Sequence, residues 1–302
     1  VSVHTVRRII DDTARLLTIK PLHDLPEHLC FDEFKSVKSS DSNMSFIICD
    51  STTHKLVDVV RDRKSYSLKQ YFYRFEPKTR LKVKTISIDM YLPYIQLIKE
   101  MFPNAKIIID PFHIVQALNR ELNRTRVRVM NKHRYKDPKL YRKLKHYWKL
   151  ILKNPNELQN YKYNRYKLFE SFITSKGIVD YILENNPSLK NDYEVVHSLR
   201  ECIQDRDYIE FKETIEAATQ LDLSPGLKRV LKTLITYLPY IQNTCEYPTR
   251  TNGPIEGINN KIKVLKRNAY GFRNYYHFRN RIILITKMFG PKQKGIKQQL
   301  VA

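Results

Sequence analysis

The sequence predicts an α/β protein whose mixed sheet is interrupted by a large all-helical insertion. Three short apolar runs separated by turn-rich segments lie between residues 28 and 60, a pattern typical of an antiparallel meander. Strand and helix patterns then alternate up to Asp110, which favours parallel additions to the same sheet. From Phe112 to about Tyr240, strand patterns largely vanish and apolar residues recur at helical spacing.

Local signals justify the elements in chain order. Residues 2–17 have the apolar spacing of a helix, and Ser2 is placed to cap its first turn. The runs HLCFDEF, SFIICD and KLVDVV are the three strands of the meander. The patterns beyond them predict a helix over 65–75, a strand over 83–89, a helix over 91–102 and a strand over 106–110. After the insertion, TNGPIEG introduces two further helices.

Composition and charge limit the function classes. The 302 residues include 54 Lys and Arg against 31 Asp and Glu, a net charge of +23, so a polyanionic partner is expected. A hydrophobic fraction of 42% is enough for a folded core. The seven glycines form no phosphate-binding loop, which argues against ATP or NAD. Apolar runs are too short to cross a bilayer, and no signal peptide is visible, so no membrane association is expected.

The positive charge is concentrated in two segments. Residues 121–170 carry +11 and residues 251–302 carry +10, against +5 for residues 1–120 and −3 for 171–250. Glu256 is the single acidic residue of the last segment, and eleven basic residues follow it. A lone carboxylate at the start of a basic helix is unusual for a solvated surface.

Two aspartates in the predicted sheet are candidate metal ligands together with Glu256. Asp32 lies within the first strand and Asp89 ends the fourth, so both project from one edge if these strands are neighbours. An RNase H-like fold builds its metal site in this way, and carboxylate oxygens suit Mg²⁺ or Mn²⁺. We therefore expect Asp32, Asp89 and Glu256 to converge within a few ångströms.

The positions of Asp89 and of several other carboxylates also have explanations that involve no metal. Asp89 and Asp110 each precede a predicted helix, where an N-cap role is about as plausible as a functional one. Asp50 precedes Ser-Thr-Thr and is better explained by turn chemistry. Glu33 follows Asp32 directly and is expected on the opposite face of the strand.

Several stretches of the chain resemble the ISL-three-type bacterial insertion-sequence transposases. They are FDEF, the D-V-V hairpin followed by R-x-R, ISIDMYLPYI, FPNAKIIIDPFHIVQALN and TNGPIEGINNKIKVLKRNAYGFRNYYHFRNRI, and they cover nearly the whole chain in order. The resemblance implies a DDE recombinase with an RNase H-like catalytic core and a helical insertion before the Glu. It also implies Asp32, Asp89 and Glu256 as the catalytic, metal-binding triad.

The same resemblance implies a division of the chain and some auxiliary residues. Residues 1–20 would be the remnant of a helix-turn-helix DNA-binding domain, 21–120 the first part of the core, 121–245 the insertion and 246–302 the C-terminal helices of the core. Asp110 and His113 match the family's D-x-F-H motif and have an auxiliary role, although a capping Asp and a packed His are equally consistent. By the same resemblance, Arg7 and Arg8 would lie on the recognition helix of that domain. The family's upstream zinc-ribbon cysteines are missing, so we expect an N-terminally truncated chain.

Basic residues beside Glu256 are expected to bind DNA. Asn260, Lys263 and Arg267 follow it at +4, +7 and +11 and so share its helix face, although a solvated basic face is the alternative. The remaining predicted phosphate contacts of this segment include Lys261, Lys266, Arg273, Arg279 and Arg281. In the insertion, aromatic residues interleaved with cations either stack on bases or form the core.

The expected function is a DDE-type DNA transposase that hydrolyses a phosphodiester at element ends and transfers the strand into target DNA. It would use Mg²⁺, with Mn²⁺ able to substitute, and bind double-stranded DNA as a homodimer or larger synaptic assembly in the bacterial cytoplasm, at the nucleoid. A structure-selective nuclease on the same fold, or a catalytically silent domesticated DNA-binding protein, is the alternative. Because the chain has 20 tyrosines, composition alone does not exclude a tyrosine recombinase.

Overall fold

The structure, a computed structural model, describes residues 1–17, 24–37, 39 and 43–288 of the chain. These residues fall into two units. Unit 1 comprises Val1–Ile108 and Thr249–Ala302, and unit 2 comprises Ile109–Pro248. The sequence places the corresponding changes at 120/121 and 245/246, and the first of these positions lies inside a continuous helix.

Five strands form one mixed sheet in the order β3-β2-β1-β4-β5. β1 pairs antiparallel with β2, and β2 antiparallel with β3, which confirms the predicted meander. β1 pairs parallel with β4, which confirms that the first and fourth strands are neighbours. The strands are β1 (His28–Lys35), β2 (Met44–Asp50), β3 (Leu56–Val60), β4 (Thr85–Ile88) and β5 (Lys106–Ile109).

The helices begin largely where the sequence predicts them. Ser2 caps the first helix, with its Oγ accepting from the backbone N–H of Thr5 at 3.1 Å. The helix predicted over 65–75 ends earlier, and Pro77 starts a separate short helix that the patterns missed. The helices are α1 (Val3–Leu17), α2 (Ser65–Phe72), α3 (Pro77–Leu81), α4 (Leu92–Met101), α5 (Pro111–Lys136), α6 (Pro138–His146), α7 (Trp148–Leu152), α8 (Ser175–Glu184), α9 (Pro187–Asp205), α10 (Tyr208–Ala218), α11 (Pro225–Glu246), α12 (Gly253–Asn268) and α13 (Tyr275–Met288).

In unit 1, the alternation of side chains along β1 separates two apolar layers. Cys30 and Phe34 face the layer that contains the buried residues of α12 and α13. Phe31 faces the other layer, where its ring lies 5.5 Å from that of Phe72 on α2. Because side chains alternate at every residue, Asp32 projects on the same side as Cys30 and Phe34, toward α12.

Helix α13 is fixed to the sheet by a partly buried ion pair. The Arg279 guanidinium donates to the Asp58 carboxylate on β3 and to the backbone carbonyl of Val59. Tyr275 Oη donates to the same carbonyl at 2.9 Å, and Tyr71 Oη donates to Asp58 at 3.0 Å. These contacts engage the half-buried Arg279 side chain with β3, so the phosphate contact predicted for Arg279 would compete with the Asp58 carboxylate for its guanidinium.

Unit 2 is helical, and three of its helical segments start at an Asn-Pro or Ser-Pro pair. Asn154 caps a short 3-10 turn, Asn186 precedes α9 and Ser224 caps α11. A buried polar network links three helices: Asp192 on α9 accepts from Thr125 Oγ1 on α5 at 2.7 Å and from the backbone N–H of Ser224 at 2.9 Å. Among the described residues, no helix is both long and apolar enough to span a membrane.

Candidate functional site

Asp32 is held from two sides at the middle of the sheet. Its Oδ2 accepts a hydrogen bond from Nδ2 of Asn259 on α12 at 2.7 Å. Its Oδ1 accepts from the backbone N–H of Glu33 at 2.7 Å. The side chain is half-buried, so it is neither a solvated turn residue nor sealed in the core.

Asp89 immediately follows β4, two residues beyond the last β4 residue that pairs with β1. The parallel pairs between β1 and β4 are His28 with Thr85, Leu29 with Ile86 and Cys30 with Ser87. Continuing this register by two residues sets Asp32 opposite Asp89, with both side chains on one face.

The capping explanation for Asp89 is wrong. The N-cap of α4 is Tyr91, which makes no side-chain capping bond. Instead, Oδ1 of Asp89 accepts from Nδ2 of Asn252 at 3.4 Å. Asn252 immediately precedes α12, so this helix contacts the carboxylates of both β1 and the β4 end.

Glu256 stands on α12 between the two asparagines that touch the aspartates. At 100° per residue, it lies about 40° from Asn252 and about 60° from Asn259 around the helix axis. Both asparagines are buried, whereas Glu256 is exposed at the border of the buried stripe. In the part of the chain that the structure describes, the ligand atoms of Asp32, Asp89 and Glu256 do not all lie within 4.8 Å of one another, so the expected convergence of all three carboxylates is not observed.

Asn252 and Asn259 were missed from the sequence, where Asn260 was chosen instead. Asn260 shares the exposed face of Glu256, but Asn259 is the residue that contacts Asp32. The signal was present in the apolar pattern, because Asn259 interrupts the stripe formed by Ile255, Ile258 and Ile262. A buried amide in such a stripe needs a hydrogen-bond partner.

The predicted DNA-contacting cations divide into two groups. Lys261, Lys263, Arg267 and Arg273 are exposed on and after α12. Lys266 is half-buried, and its Nζ donates at 2.9 Å to the backbone carbonyls of both Lys35 and Ser36. Burial lowers the pKa of Lys266. Its assignment as a phosphate contact is therefore corrected: in this structure its ammonium ties α12 to the end of β1.

The other predicted residues have local roles in the structure. Asp110 is the N-cap of α5, and its Oδ1 accepts from the backbone N–H of Phe112 at 3.3 Å, which agrees with the capping explanation. His113 is half-buried in the first turn of the same helix. Arg7 and Arg8 are exposed on α1. Asp50 accepts two backbone N–H bonds and the Thr53 hydroxyl, which confirms its role in the turn.

Glu33 belongs to a separate cluster on the opposite face of β1. Its carboxylate accepts from Arg63 at 2.5 Å and from Tyr94 Oη at 2.9 Å. Burial raises the pKa of Tyr94, and the negative charge of Glu33 raises it further. This arrangement confirms that adjacent acidic residues of β1 serve different sides of the sheet.

Comparison with known proteins identifies the family. The family model of DDE transposases of the ISL3 (ISL-three) type, described as "Transposase", matches residues 29–282. This match includes all five strands except the first residue of β1, together with the helical unit and α12. The chain belongs to the ISL3 transposase family.

Two curated relatives match parts of this ISL3 transposase family member. A "Transposase for insertion sequence element IS1001" from Bordetella parapertussis is 27% identical over 280 residues, covering 91% of this chain and 64% of that protein. A Lactococcus lactis subsp. lactis protein named "ATP-dependent protease" is 36% identical over 130 residues, covering 43% of this chain and 40% of its own length. The chain thus spans less than two thirds of the length of either relative. No solved structure matches.

The residues of this ISL3 family member fit a hard divalent cation, the kind of ion that DDE transposases use. The donor set around Asp32 and Asp89 consists of carboxylate and amide oxygens, with no thiolate among the named residues. Such ligands suit Mg²⁺ or Mn²⁺. In addition, the side-chain oxygens of Asn252 and Asn259 are buried and have no hydrogen-bond partner in the described residues, so the site has unused acceptor capacity.

Proposed function

We propose that the chain is a DDE-type DNA transposase that hydrolyses a phosphodiester at element ends and joins the strand to target DNA. The observation that carries this proposal is the side-by-side placement of Asp32 and Asp89, each contacted by the helix that bears Glu256. Membership of the ISL3 family supports it, because transposases act on DNA. The sheet would be the RNase H-like core, and residues 121–245 its helical insertion.

In this proposal, Asp32, Asp89 and Glu256 hold divalent metal ions, with Mg²⁺ preferred and Mn²⁺ able to substitute. When bound, such ions would supply activation of an attacking oxygen and stabilisation of the leaving one. Asp32 and Asp89 would hold both ions, and Glu256 would complete the ligands of one of them. The exposed position of Glu256 leaves it accessible to a DNA backbone.

The residues around Glu256 would position the DNA. Lys263 and Arg267 lie about 20° from Glu256 on the same side of α12, so their cations can neutralise phosphates that flank the reacting one. The amide of Asn260, about 40° from Glu256, extends this exposed surface. Lys261, about 140° from Glu256, and Arg273, beyond the end of α12, are exposed elsewhere and would contact other phosphates. Because the attacking groups are water and a DNA 3′-hydroxyl, no covalent protein intermediate is needed.

Unit 2 would add a second DNA contact. Of the aromatics that interleave with cations there, Tyr161 and Tyr163 are 87% and 65% exposed, whereas Tyr147 is buried at 6% and packs against Phe169. The exposed rings can stack on bases and the nearby cations can follow phosphates. Tyr147 instead belongs to the core of unit 2.

Further parts of the proposal concern auxiliary residues and assembly. Arg7 and Arg8 on α1 would contact element-end DNA, and Asp110 and His113 would assist the site in addition to their helical roles. Pairing of two element ends requires a homodimer or larger assembly, an argument by analogy of function.

The decisive experiment replaces Glu256 by Gln in the 302-residue chain. Incubation with labelled element-end duplex and Mg²⁺ or Mn²⁺ should show cleavage and joining by the unmodified protein. Glu256→Gln should lower both by at least about 100-fold, more than the loss of an outer hydrogen-bond partner costs a metal site. DNA affinity should remain close to that of the unmodified chain.

Asp24→Asn is the matched control, because Asp24 is also exposed in unit 1 and the change removes the same charge. It should leave cleavage and joining unaltered. Cleavage without joining by the unmodified chain would instead identify a nuclease, and binding alone would identify a DNA-binding protein. Full activity of Glu256→Gln would refute the assignment of the triad.

A further inference from the structure

Two buried amides on α12 make hydrogen bonds that their positions in the helix do not require. Asn252 is the N-cap of α12, where an asparagine oxygen ordinarily accepts a bond from the first turn. It makes no such capping bond. Its Nδ2 donates instead to the Phe31 carbonyl at 3.2 Å and to Asp89 Oδ1 at 3.4 Å. The helix start thus gives up a stabilising cap in favour of a contact with β1 and Asp89.

Asn259 makes the equivalent contact with the other carboxylate. It lies seven residues further along α12, which returns it to within about 20° of Asn252 around the helix. Its Nδ2 donates to Asp32 Oδ2 at 2.7 Å, a short distance typical of a bond to a charged acceptor. The two amides therefore form one edge of α12 that faces both aspartates.

The side-chain amide oxygens of both asparagines accept no hydrogen bond from the described residues. Asn252 is 5% and Asn259 9% exposed, and Oδ1 of each is buried without a hydrogen-bond partner among the described residues. The orientation of each amide is fixed, because the Phe31 carbonyl and the Asp32 carboxylate can only accept. Leaving such an oxygen unsatisfied destabilises the folded protein, so two at one site indicate a ligand that donates hydrogen bonds there.

We propose that Asn252 and Asn259 are positioning residues for the metal site, each orienting one aspartate through its NH₂ group and accepting a hydrogen bond from cation-bound water through its oxygen. This rests on the proposed function, since it presumes that Asp32 and Asp89 bind the cation. Each N–H donated to a carboxylate oxygen fixes that carboxylate's rotation. Partners of this kind are worth about 10- to 100-fold in metal affinity.

The test measures Mn²⁺ binding to the free protein by calorimetry, with Asn252→Ser and Asn259→Ala as variants. Serine is favoured at an N-cap and alanine in a helix interior, so both changes are compatible with α12. Each should weaken Mn²⁺ binding by about 10- to 100-fold. At saturating Mn²⁺, single-turnover DNA cleavage should return to within a few-fold of the unmodified rate. Asn268→Ala, an exposed residue of the same helix, should bind Mn²⁺ as the unmodified chain does.

Asp32→Asn separates failure of this inference from failure of the proposed function. If Mn²⁺ binding survives Asp32→Asn, the proposed metal site itself is wrong. If Asp32→Asn abolishes binding but both amide variants bind normally, only the positioning role is overturned. Thermal melting in EDTA, which removes the metal, distinguishes a folding defect from a loss of metal binding. If one variant no longer melts cooperatively, the other variant still tests the inference at its own aspartate. Loss of cooperative melting in both would overturn the inference, because it assigns the amides to folding.

Discussion

The salt dependence of DNA binding should distinguish the exposed cations of α12 from the one bound to the sheet. Lys263 and Arg267 are exposed, whereas Lys266, on the same helix, donates to two backbone carbonyls and is half-buried. We consider the double variant Lys263→Met/Arg267→Met and the single variant Lys266→Met. Methionine keeps an unbranched side chain that favours the helix, so each change removes mainly the charge.

The expected magnitude follows from counterion release. Each phosphate neutralised on duplex DNA contributes about −0.9 to the slope of log K against log salt. If both exposed cations contact phosphate, the double variant should have a slope shallower by about 1.8. Between 50 and 200 mM salt, the affinity advantage of the unmodified chain should then shrink by about 12-fold. Lys266→Met should leave the slope unchanged, because its ammonium is already bound to carbonyls.

Fluorescence anisotropy with a labelled mixed-sequence duplex, titrated at four or more salt concentrations, provides these slopes. A mixed sequence is sufficient because phosphate contacts carry no sequence information. Melting curves of all variants confirm that comparisons are made between folded proteins. An unchanged slope for Lys263→Met/Arg267→Met would show that this face of α12 does not track DNA. A slope for Lys266→Met that is shallower by about 0.9 would show that its carbonyl bonds are released on binding.

Two further predictions concern the stability of the chain: one compares alanine substitutions at Gly226 and Gly257, and the other is the pH dependence caused by His197. An added Cβ at Gly226 would overlap Oε1 of the buried Glu121, so Gly226→Ala should lower the free energy of unfolding, measured in urea, by about 1–3 kcal/mol. An added Cβ at Gly257 would have no atom within 4 Å, so Gly257→Ala should raise the free energy of unfolding by about 0.5–1 kcal/mol. Equal effects of the two would contradict the packing. Burial lowers the pKa of His197 to about 4, so the unfolded chain binds a proton first as pH falls below 6.5. The free energy of unfolding should therefore drop by up to about 3 kcal/mol between pH 6.5 and 4. The melting temperature of His197→Gln should depend less on pH than that of the unmodified chain. Parallel curves of melting temperature against pH for the two proteins would contradict this prediction.

The sheet was predictable because its signals are local. The alternation in LCFDEF determines which side chains share a face, and the turn-rich SSDSN and STTH segments bound the strands. The alternation of strands and helices after β3 favoured parallel additions to the sheet, but it left open which strand they join, and the pairing of β1 with β4 comes from the structure. Once these strands are neighbours, the alternation of side chains places Asp32 and Asp89 on one face.

The partners of the aspartates could not be predicted in the same way. Asn259 lies 227 residues from Asp32, and helical spacing alone assigned Asn260 to the face of Glu256. Spacing gives the relative angles of residues on a helix, but the rotation of that helix against the sheet depends on tertiary packing. Lys266 was misassigned for the same reason: its charge suggested DNA, and only the packed structure reveals the two carbonyls of the β1 end that its ammonium binds.

Helix α12 carries two adjacent edges with opposite requirements, and this arrangement explains its composition. The edge with Asn252 and Asn259 is buried and neutral, since a cation beside the aspartates would compete with a metal ion for them. The edge with Lys263 and Arg267 is exposed and positive, as phosphate binding requires. Glu256 lies on the exposed edge, about 20° from both Lys263 and Arg267 and about 40° from Asn252. A rigid helix holds these angles fixed, and Lys266 ties it to the end of β1. Catalysis by positioning needs such fixed geometry, because small displacements of reacting groups cost large factors in rate.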